Sequence, residues 1–417
     1  MIVDLAFLGS VVVIWAMTAY QLVLTVAGYF YAERSRQEGE ALLPAGLEWP
    51  TVSVLVPAHN EERVIRATVQ ALLKQDYWSG RLETIVINDG STDHTGRLVE
   101  DMMAQAPTLK LVNIPAANGA RGKARALNEG LKVAQGDVIA VYDADNTPEP
   151  DALRLLVVQL LRHAELGAAL GKFRTVNRRW NLLTRFINLE TLAFQWITQA
   201  GRWNLFRVAL LPGTNYVIWR RALEEVGSWD EQAMTEDTEL SVRLYEKGYL
   251  IKFVPAAVTY EQEPETLGVW VRQRTRWVRG HNYVLGKFLT RVTRFRSRLT
   301  AFELLSFLCL HYLFLVGIVA SDALFVLSLF SLAQPSLAGP FAAVWALAFL
   351  LFVLELVLIA SLEDDEGLTS VVALAVVMYF TYCQGWLYVV VRGFTEDVIL
   401  RRERVWHKTP RFETTGT

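Results

Sequence analysis

Two aspartates one residue apart, Asp143 and Asp145 in "DADNTPEP", close a short apolar run. Carboxylates at i and i+2 of an extended chain point the same way. Two hard oxygen ligands on a loop suit Mg²⁺ or Mn²⁺ bridging phosphates, because such an ion takes few protein ligands and leaves positions for substrate oxygens. The plainer alternative is a strand that ends in a solvated Asx turn. Asp89, in "NDGSTD", ends another apolar run, where a carboxylate can accept hydrogen bonds from a base or a ribose. Ser91 or Thr92 is expected to cap the helix that follows, with Asp93 complementing its dipole. Arg121, Lys123 and Arg125 stand at a glycine-rich helix start, "NGARGKARALNEG" (118–130), where free N–H groups and the dipole attract anions. It is not a P-loop, since Ala124 stands where Ser or Thr is required, and a solvated basic turn is the alternative.

Asp237, in "MTEDTELSVRLYEKGY" (234–249), falls in the first turn of an expected helix with Thr235 as its cap. Acids there are favourable on structural grounds alone, and a helix N-terminus lowers an acid's pKa, which weakens a base. By itself the stretch reads as a helix start. "VWVRQRTRWVRGHNY" (269–283) holds four arginines and two tryptophans. On a helix Gln273, Arg276 and Trp277 share a face, where the arginine can meet phosphate and the indole can carry a sugar ring. A helix on a membrane surface explains Trp270, Arg272, Arg274 and Arg279 well, with basic side chains reaching headgroups and indoles at the interface.

The elements that must position these residues are legible as alternating strands and helices. "TVSVLVP" (51–57), "ETIVIND" (83–89), "LKLVNI" (109–114) and "DVIAVYD" (137–143) are short, rich in Val and Ile, and bounded by turn residues. Residues 61–75 and 120–134 carry apolar positions at helical spacing. Alternation predicts a parallel sheet with covering helices, in which ligands bind beyond the carboxyl ends of the strands.

Around this block, 50–265, the chain is too oily to be wholly soluble: 52% of its 417 residues are hydrophobic and the mean hydropathy is +0.24. Leu5 to Ala32 holds no Asp, Glu, Lys or Arg, which predicts an N-terminal transmembrane helix over 1–33. Asp4 precedes it and Arg34 and Arg36 follow, so it lacks a signal peptide's basic start, and residue 33 onward is expected in the cytoplasm. An interfacial amphipathic segment is expected over 266–300, transmembrane helices over 301–395 and a basic tail over 396–417. Three apolar runs, 304–333, 340–361 and 369–391, would leave the C-terminus outside, at odds with the basic "RRERVWHKTPR". His311 and Asp322 in the first run suit a sugar-conducting path or merely bond locally. Cys309 and Cys383 lie in oily segments, which excludes a disulfide framework or zinc site, and a net charge of −2 gives no sign of nucleic acid.

In order, "NDGSTD", "DAD", "TED" and "QRTRW" resemble the signature of processive inverting glycosyltransferases of family 2, the membrane synthases of cellulose, chitin, hyaluronan and poly-N-acetylglucosamine, over about residues 50–285. The resemblance implies a GT-A (Rossmann-like) cytoplasmic domain inserted between transmembrane α-helices. It also implies a nucleotide-sugar donor, Mg²⁺ or Mn²⁺, and a growing polysaccharide acceptor that leaves through the lipid bilayer. Asp89 then contacts the nucleoside, Lys123 lies beside the diphosphate, and Asp143 and Asp145 form the metal pair, Asp145 being the ligand proper. Asp237 becomes the general base, reversing its local reading. Gln273, Arg276 and Trp277 match Q-x-x-R-W, with the arginine near the diphosphate and the tryptophan under the acceptor sugar. "VWHKTPR" resembles a W-x-x-T-x-R element that closes over the nucleotide, implicating Trp406, Thr409 and Arg411. Compact size resembles the poly-N-acetylglucosamine synthases, which makes UDP-GlcNAc the expected donor and UDP-glucose the next; whether a small accessory membrane protein is needed stays open. Two other readings compete. A single-addition enzyme acting on polyprenyl phosphate or another lipid shares the strand-end acids and does not ordinarily need "QRTRW". A transporter that only binds nucleotide-sugar is disfavoured by Asp237 together with the metal pair.

Overall fold

A computed structural model describes residues 2–39, 48–119, 122–332, 341–363 and 366–404. Its strands are β1 (Val52–Ala58), β2 (Leu82–Asp89), β3 (Leu109–Ile114), β4 (Val138–Val141), β5 (Thr147–Pro148), β6 (Leu166–Thr175), β7 (Tyr216–Trp219) and β8 (Leu250–Glu261). They form one sheet in the order β3-β2-β1-β4-β7-β6-β8-β5. β3, β2, β1 and β4 are parallel, as the alternation predicts, and β1 is buried almost throughout, as a strand covered on both faces must be. The other half departs from the expected parallel sheet. β7 is antiparallel to β4 and β6, and β5 to β8, whereas β6 and β8 are parallel, so the sheet is mixed.

The N-terminal helix is α1 (Ile2–Gly39). Against the sheet lie α2 (Ile65–Leu73), α3 (Thr95–Met103), α4 (Lys123–Val133) and α5 (Ala152–Arg162). α2 shows why they pack: Ile65, Thr68, Val69 and Leu72 recur on one helical face and are buried. α3 starts later than its sequence suggests, and neither Ser91 nor Thr92 caps it. Asn60, held at φ 55°, draws both to the end of β1: its N–H donates to Ser91 Oγ at 2.9 Å and its Oδ1 accepts from Thr92 N at 2.7 Å.

Between β6 and β7 the chain makes a helical excursion: α6 (Leu182–Ala193), a π-helical stretch (Phe194–Gly201) and α7 (Arg202–Phe206). α8 (Arg220–Glu225) and α9 (Glu236–Lys247) precede β8; α10 (Leu267–Leu289), α11 (Arg298–Leu329), α12 (Phe341–Ala360), α13 (Leu368–Phe380) and α14 (Tyr382–Phe394) follow it. Among the described residues three segments are long and apolar enough to cross a membrane, Val3–Arg36, Arg298–Ser328 and Leu368–Ile399, while Ala346–Ala360 is shorter. The apolar helices are bonded to the sheet domain. Tyr31 of α1 donates to the Phe253 carbonyl at 2.5 Å, and Glu363, after α12, accepts from Lys172 at 2.9 Å, Arg174 at 2.6 Å and Trp196 at 3.0 Å.

Candidate active site

The carboxyl ends of the parallel strands open into a cavity of about 470 Å³, and Asp89, Lys123, Asp143, Asp145, Asp237, Gln273, Arg276 and Trp277 all line it. β4 stops at Val141, and the Asn146 N–H closes a turn onto the Asp143 carbonyl at 3.0 Å. A turn therefore brings Asp143 and Asp145 to one cavity, where the sequence suggested an extended i, i+2 pair. Thr68 Oγ1 fixes that turn through the Ala144 carbonyl at 2.7 Å, and Thr214 Oγ1 accepts from the Asp143 N–H at 3.0 Å. Asp145 Oδ2 accepts from the Gln262 N–H at 3.3 Å. Among the described residues no group of three or more His, Cys, Asp or Glu side chains is placed so that it could hold a metal ion by itself. Two carboxylates on one turn fit an Mg²⁺ or Mn²⁺ ion that takes its remaining oxygens from a diphosphate and water.

Lys123 opens α4 after Gly122, whose φ of 114° only glycine adopts readily. Its ammonium donates to Asp143 and, at 2.7 Å, to the Gly213 carbonyl, and lies 3.9 Å from Glu236. Burial works to lower its pKa, but Asp143 and Glu236 outweigh it and raise the value, so the cation persists. Arg121 lies outside the described residues, and Arg125 does not line the cavity.

Glu236 and Asp237 begin α9. Thr235 takes the N-cap position, yet its hydroxyl makes no cap bond. Burial raises the Asp237 pKa despite the Thr238 N–H, donated at 2.6 Å, and the positive charges of Lys123 and Arg276. The expectation that the helix N-terminus would depress it therefore fails, because desolvation is the larger effect. Burial and the Asp237 charge push Glu236 up to about 7. Gly213 faces this pair with φ +87°, and a Cβ there would stand 2.9 Å from Asp237 Oδ2.

α10 corrects another expectation. Trp270 and Arg274 are each 1% exposed and Arg279 is 8% exposed, so of the residues assigned to lipid headgroups only Arg272 remains on the surface. α6 and α14 cover that face. Trp270 Nε1 donates to the Tyr382 hydroxyl at 2.8 Å, Arg274 pairs with Glu190 at 2.5 Å, and Arg279 donates to the carbonyls of Arg402 at 2.7 Å and Glu403 at 3.0 Å. Gln273, Arg276 and Trp277 face the cavity, with Arg276 Nη1 donating to the Met234 carbonyl at 3.3 Å. Beyond Trp277 the cavity is walled by His281, by Phe307, Leu310 and His311 of α11, and by Trp386 of α14. Burial lowers His281 to about 4, keeping its ring neutral.

Trp406, Thr409 and Arg411 lie outside the described residues. Glu190, Glu236, Arg274 and Gly213 line the cavity without having been singled out as functional. Glu236 was visible beside Asp237 in "TED". Glu190 had a fainter signal, a lone acid in the apolar stretch "FINLETLAFQWI".

Residues 50–280 match the family described as glycosyltransferase like family 2. The chain is 42% identical over 412 residues to a probable glycosyltransferase, YdaM, of Bacillus subtilis, covering 97% of both chains. It is 32% identical over 271 residues to a beta-monoglucosyldiacylglycerol synthase of Synechocystis sp., covering 64% of this chain and 55% of that one. It is 28% identical over 269 residues to a poly-beta-1,6-N-acetyl-D-glucosamine synthase of Staphylococcus epidermidis, covering 64% of each. Among solved structures it resembles the mannosyltransferase PcManGT from Pyrobaculum calidifontis in complex with GDP-Man and Mn²⁺, with a TM-score of 0.62 and 20% identity over 94% of this chain and 100% of that one. At that identity the likeness speaks for the fold, a GT-A-like α/β arrangement with a mixed sheet.

Proposed function

This chain belongs to the glycosyltransferase-like family 2, and from that premise we propose that it polymerises a β-linked polysaccharide from a nucleotide-sugar, with UDP-GlcNAc as donor ahead of UDP-glucose. A single cavity supports the reading: it runs from the strand-end acids past Trp277 to α11, which is long and apolar enough to cross a membrane. A polymer lengthened at Trp277 then has a protein-lined way into the bilayer. The relative named as a poly-N-acetylglucosamine synthase supports this donor.

The chemistry is one displacement. The acceptor hydroxyl oxygen bonds to the anomeric carbon as the bond from that carbon to the diphosphate breaks, inverting an α-linked donor to a β-linked product. Asp237 takes the hydroxyl proton, a role helped by a carboxyl whose pKa burial has raised. Lys123 and Arg276 bring positive charge to the leaving diphosphate, and Asp89 holds the nucleoside. Mg²⁺ or Mn²⁺ on Asp143 and Asp145 would neutralise the diphosphate oxygens. Trp277 aligns the acceptor, since joining two sugars is largely a matter of orientation.

A single addition to a lipid is the second reading. Phe307 and Leu310 give the far end of the cavity apolar walls, and one relative is named as a glucosyldiacylglycerol synthase. Purified protein in lipid, given Mn²⁺ or Mg²⁺ and a panel of UDP- and GDP-sugars, tests both. Nucleoside diphosphate release with one donor and a long product is expected, and Asp237→Asn should abolish it. A product carrying one sugar on a lipid would overturn the polymer reading, and no release from any donor would overturn both.

A further inference from the structure

Glu190 is a charged residue on α6, and three elements meet on its carboxylate. Oε2 accepts from Arg274 Nη2 of α10 at 2.5 Å and from the Tyr382 hydroxyl of α14 at 2.7 Å, while Oε1 accepts from Trp386 Nε1 of α14 at 2.7 Å. Tyr382 is itself held, because its oxygen accepts from Trp270 Nε1. Arg274 is 1% exposed, so it relies on protein groups where a surface arginine would have water. From that buried seat it reaches two residues of the cavity wall. Nη1 donates to Gln273 Oε1 at 2.6 Å, and the guanidinium lies 3.9 Å from the Trp277 ring centroid. A guanidinium stacked on one face of an indole fixes the plane of the ring and leaves the other face for a ring in the cavity.

We propose that Glu190 is the positioning residue of the acceptor end: through Arg274 it orients Gln273 and Trp277, and so sets acceptor affinity without touching the donor. This rests on the reading that Trp277 receives the acceptor. Replacing the carboxylate by an amide of the same shape takes from a buried guanidinium its largest counter-charge and leaves only the weaker influence of Glu263, so the hold of Arg274 over the indole loosens. The donor acids stand on elements other than α6, α10 and α14, and Arg276, the donor-side cation on α10, is held separately by the Met234 carbonyl at 3.3 Å, so the donor side keeps its geometry.

The experiment is a double-mutant cycle on the full chain in lipid nanodiscs, read by calorimetry with two probes, UDP and a short β-linked N-acetylglucosamine oligosaccharide. Glu190→Gln is expected to weaken the oligosaccharide about tenfold, with UDP affinity held within about twofold, and to add nothing further in a Trp277→Ala background. In turnover the same change should appear as a raised acceptor KM with kcat at saturating acceptor retained. Tyr382→Phe removes one donor while keeping the charge, and Tyr382 does not line the cavity. It should move oligosaccharide affinity the same way by less, and it carries the test if Glu190→Gln does not fold. Additive losses, an equal fall in UDP affinity, or unchanged oligosaccharide affinity would each overturn the proposal. Should wild-type protein bind diacylglycerol and no oligosaccharide, the polymer reading falls and the same cycle, read on the lipid, decides the role of Glu190. Binding of neither acceptor would overturn it.

Discussion

Asp237 has two neighbourhoods that pull its proton affinity apart. The Thr238 N–H and the charges of Lys123 and Arg276 favour its carboxylate, while burial favours the acid and wins. Beside it Glu236 is pushed up to about 7 by the same burial and by the Asp237 charge. Two acids this close titrate as a pair, so the acid limb of the rate profile belongs to both. In the proposed reaction the base must be ionised, and the rate therefore falls as pH drops, with the fall displaced upward from the ordinary carboxylate range by the burial of the pair. Glu236→Gln removes a like charge, and the midpoint of the acid limb should move to lower pH, measured as kcat against pH with saturating donor. A midpoint that stays or rises would separate the two acids. The sign for stability is fixed by the same shift. A carboxyl raised from 4.5 to about 7 contributes stability below pH 4.5 that is lost as pH rises through about 7. Thermal melts of wild type should accordingly fall relative to Glu236→Gln between those limits. Local sequence could place Asp237 at a helix start but could not rank burial against the dipole, because burial there is created by β7, α4 and α10, from distant parts of the chain.

At the scale of elements, the acceptor wall depends on how closely α10 approaches the start of α9. Gly280 makes that approach possible: a Cβ there would stand 2.5 Å from Thr235 Cγ2, 2.6 Å from its Oγ1 and 3.0 Å from its Cβ. Gly280→Ala must push α10 back, carrying Arg276 and Trp277 away from Asp237. Overpacking of this kind costs roughly 1–3 kcal/mol, so a lower melting temperature and a reduced kcat are expected together. Thr235→Ala, which removes the two nearest atoms, should restore much of both in the double variant; no recovery would mean the contact is not what limits the approach. Elements were legible where residues announce them. The Val- and Ile-rich runs of β1, β2 and β3 were read to within a residue or two. β6, "LGAALGKFRT", is rich in Ala and Gly, and β7 has only four residues, so neither shows a strand pattern and the antiparallel half of the sheet was missed. The buried arginines of α10 were misread for a related reason. A basic, aromatic helix looks alike whether it rests on headgroups or on Glu190, and the acid that decides lies on another helix.

For the whole molecule, the side of the membrane reached by the C-terminal segment is set by what its ends touch. α11 leaves from the sheet domain, where Arg294 and Arg291 lie 3.3 and 3.6 Å from Glu246, and α12 returns to it, where Glu363 meets Lys172 and Arg174. The next segment begins with Glu366 accepting from Asn188 at 2.9 Å and ends with Glu396 and Asp397 lying 3.8 and 3.7 Å from Arg279. Both ends therefore face the sheet domain, although Leu368–Ile399 is long enough to cross. Between them the helix breaks at Thr381, and α14 runs alongside α10 in the same direction, with Trp386 against Trp270 and Gly393 against Val278. We therefore expect this segment, which breaks and lies along the domain, to stay on the domain's side of the membrane. The expected crossings after the domain are then two, α11 and the shorter α12, in place of three, and the basic "RRER" is expected on the domain side, where positive charge is favoured. Single cysteines at Asp101, Ser331 and Glu403, in a chain with Cys309 and Cys383 replaced by serine, should report this through a membrane-impermeant maleimide applied to oriented vesicles. Positions 101 and 403 are expected to label from one face and 331 from the other. Labelling of 403 with 331 would mean that α13 and α14 cross after all, and would also remove the ground for placing Tyr382 and Trp386 on Glu190, since those contacts exist only if α14 stays against α10.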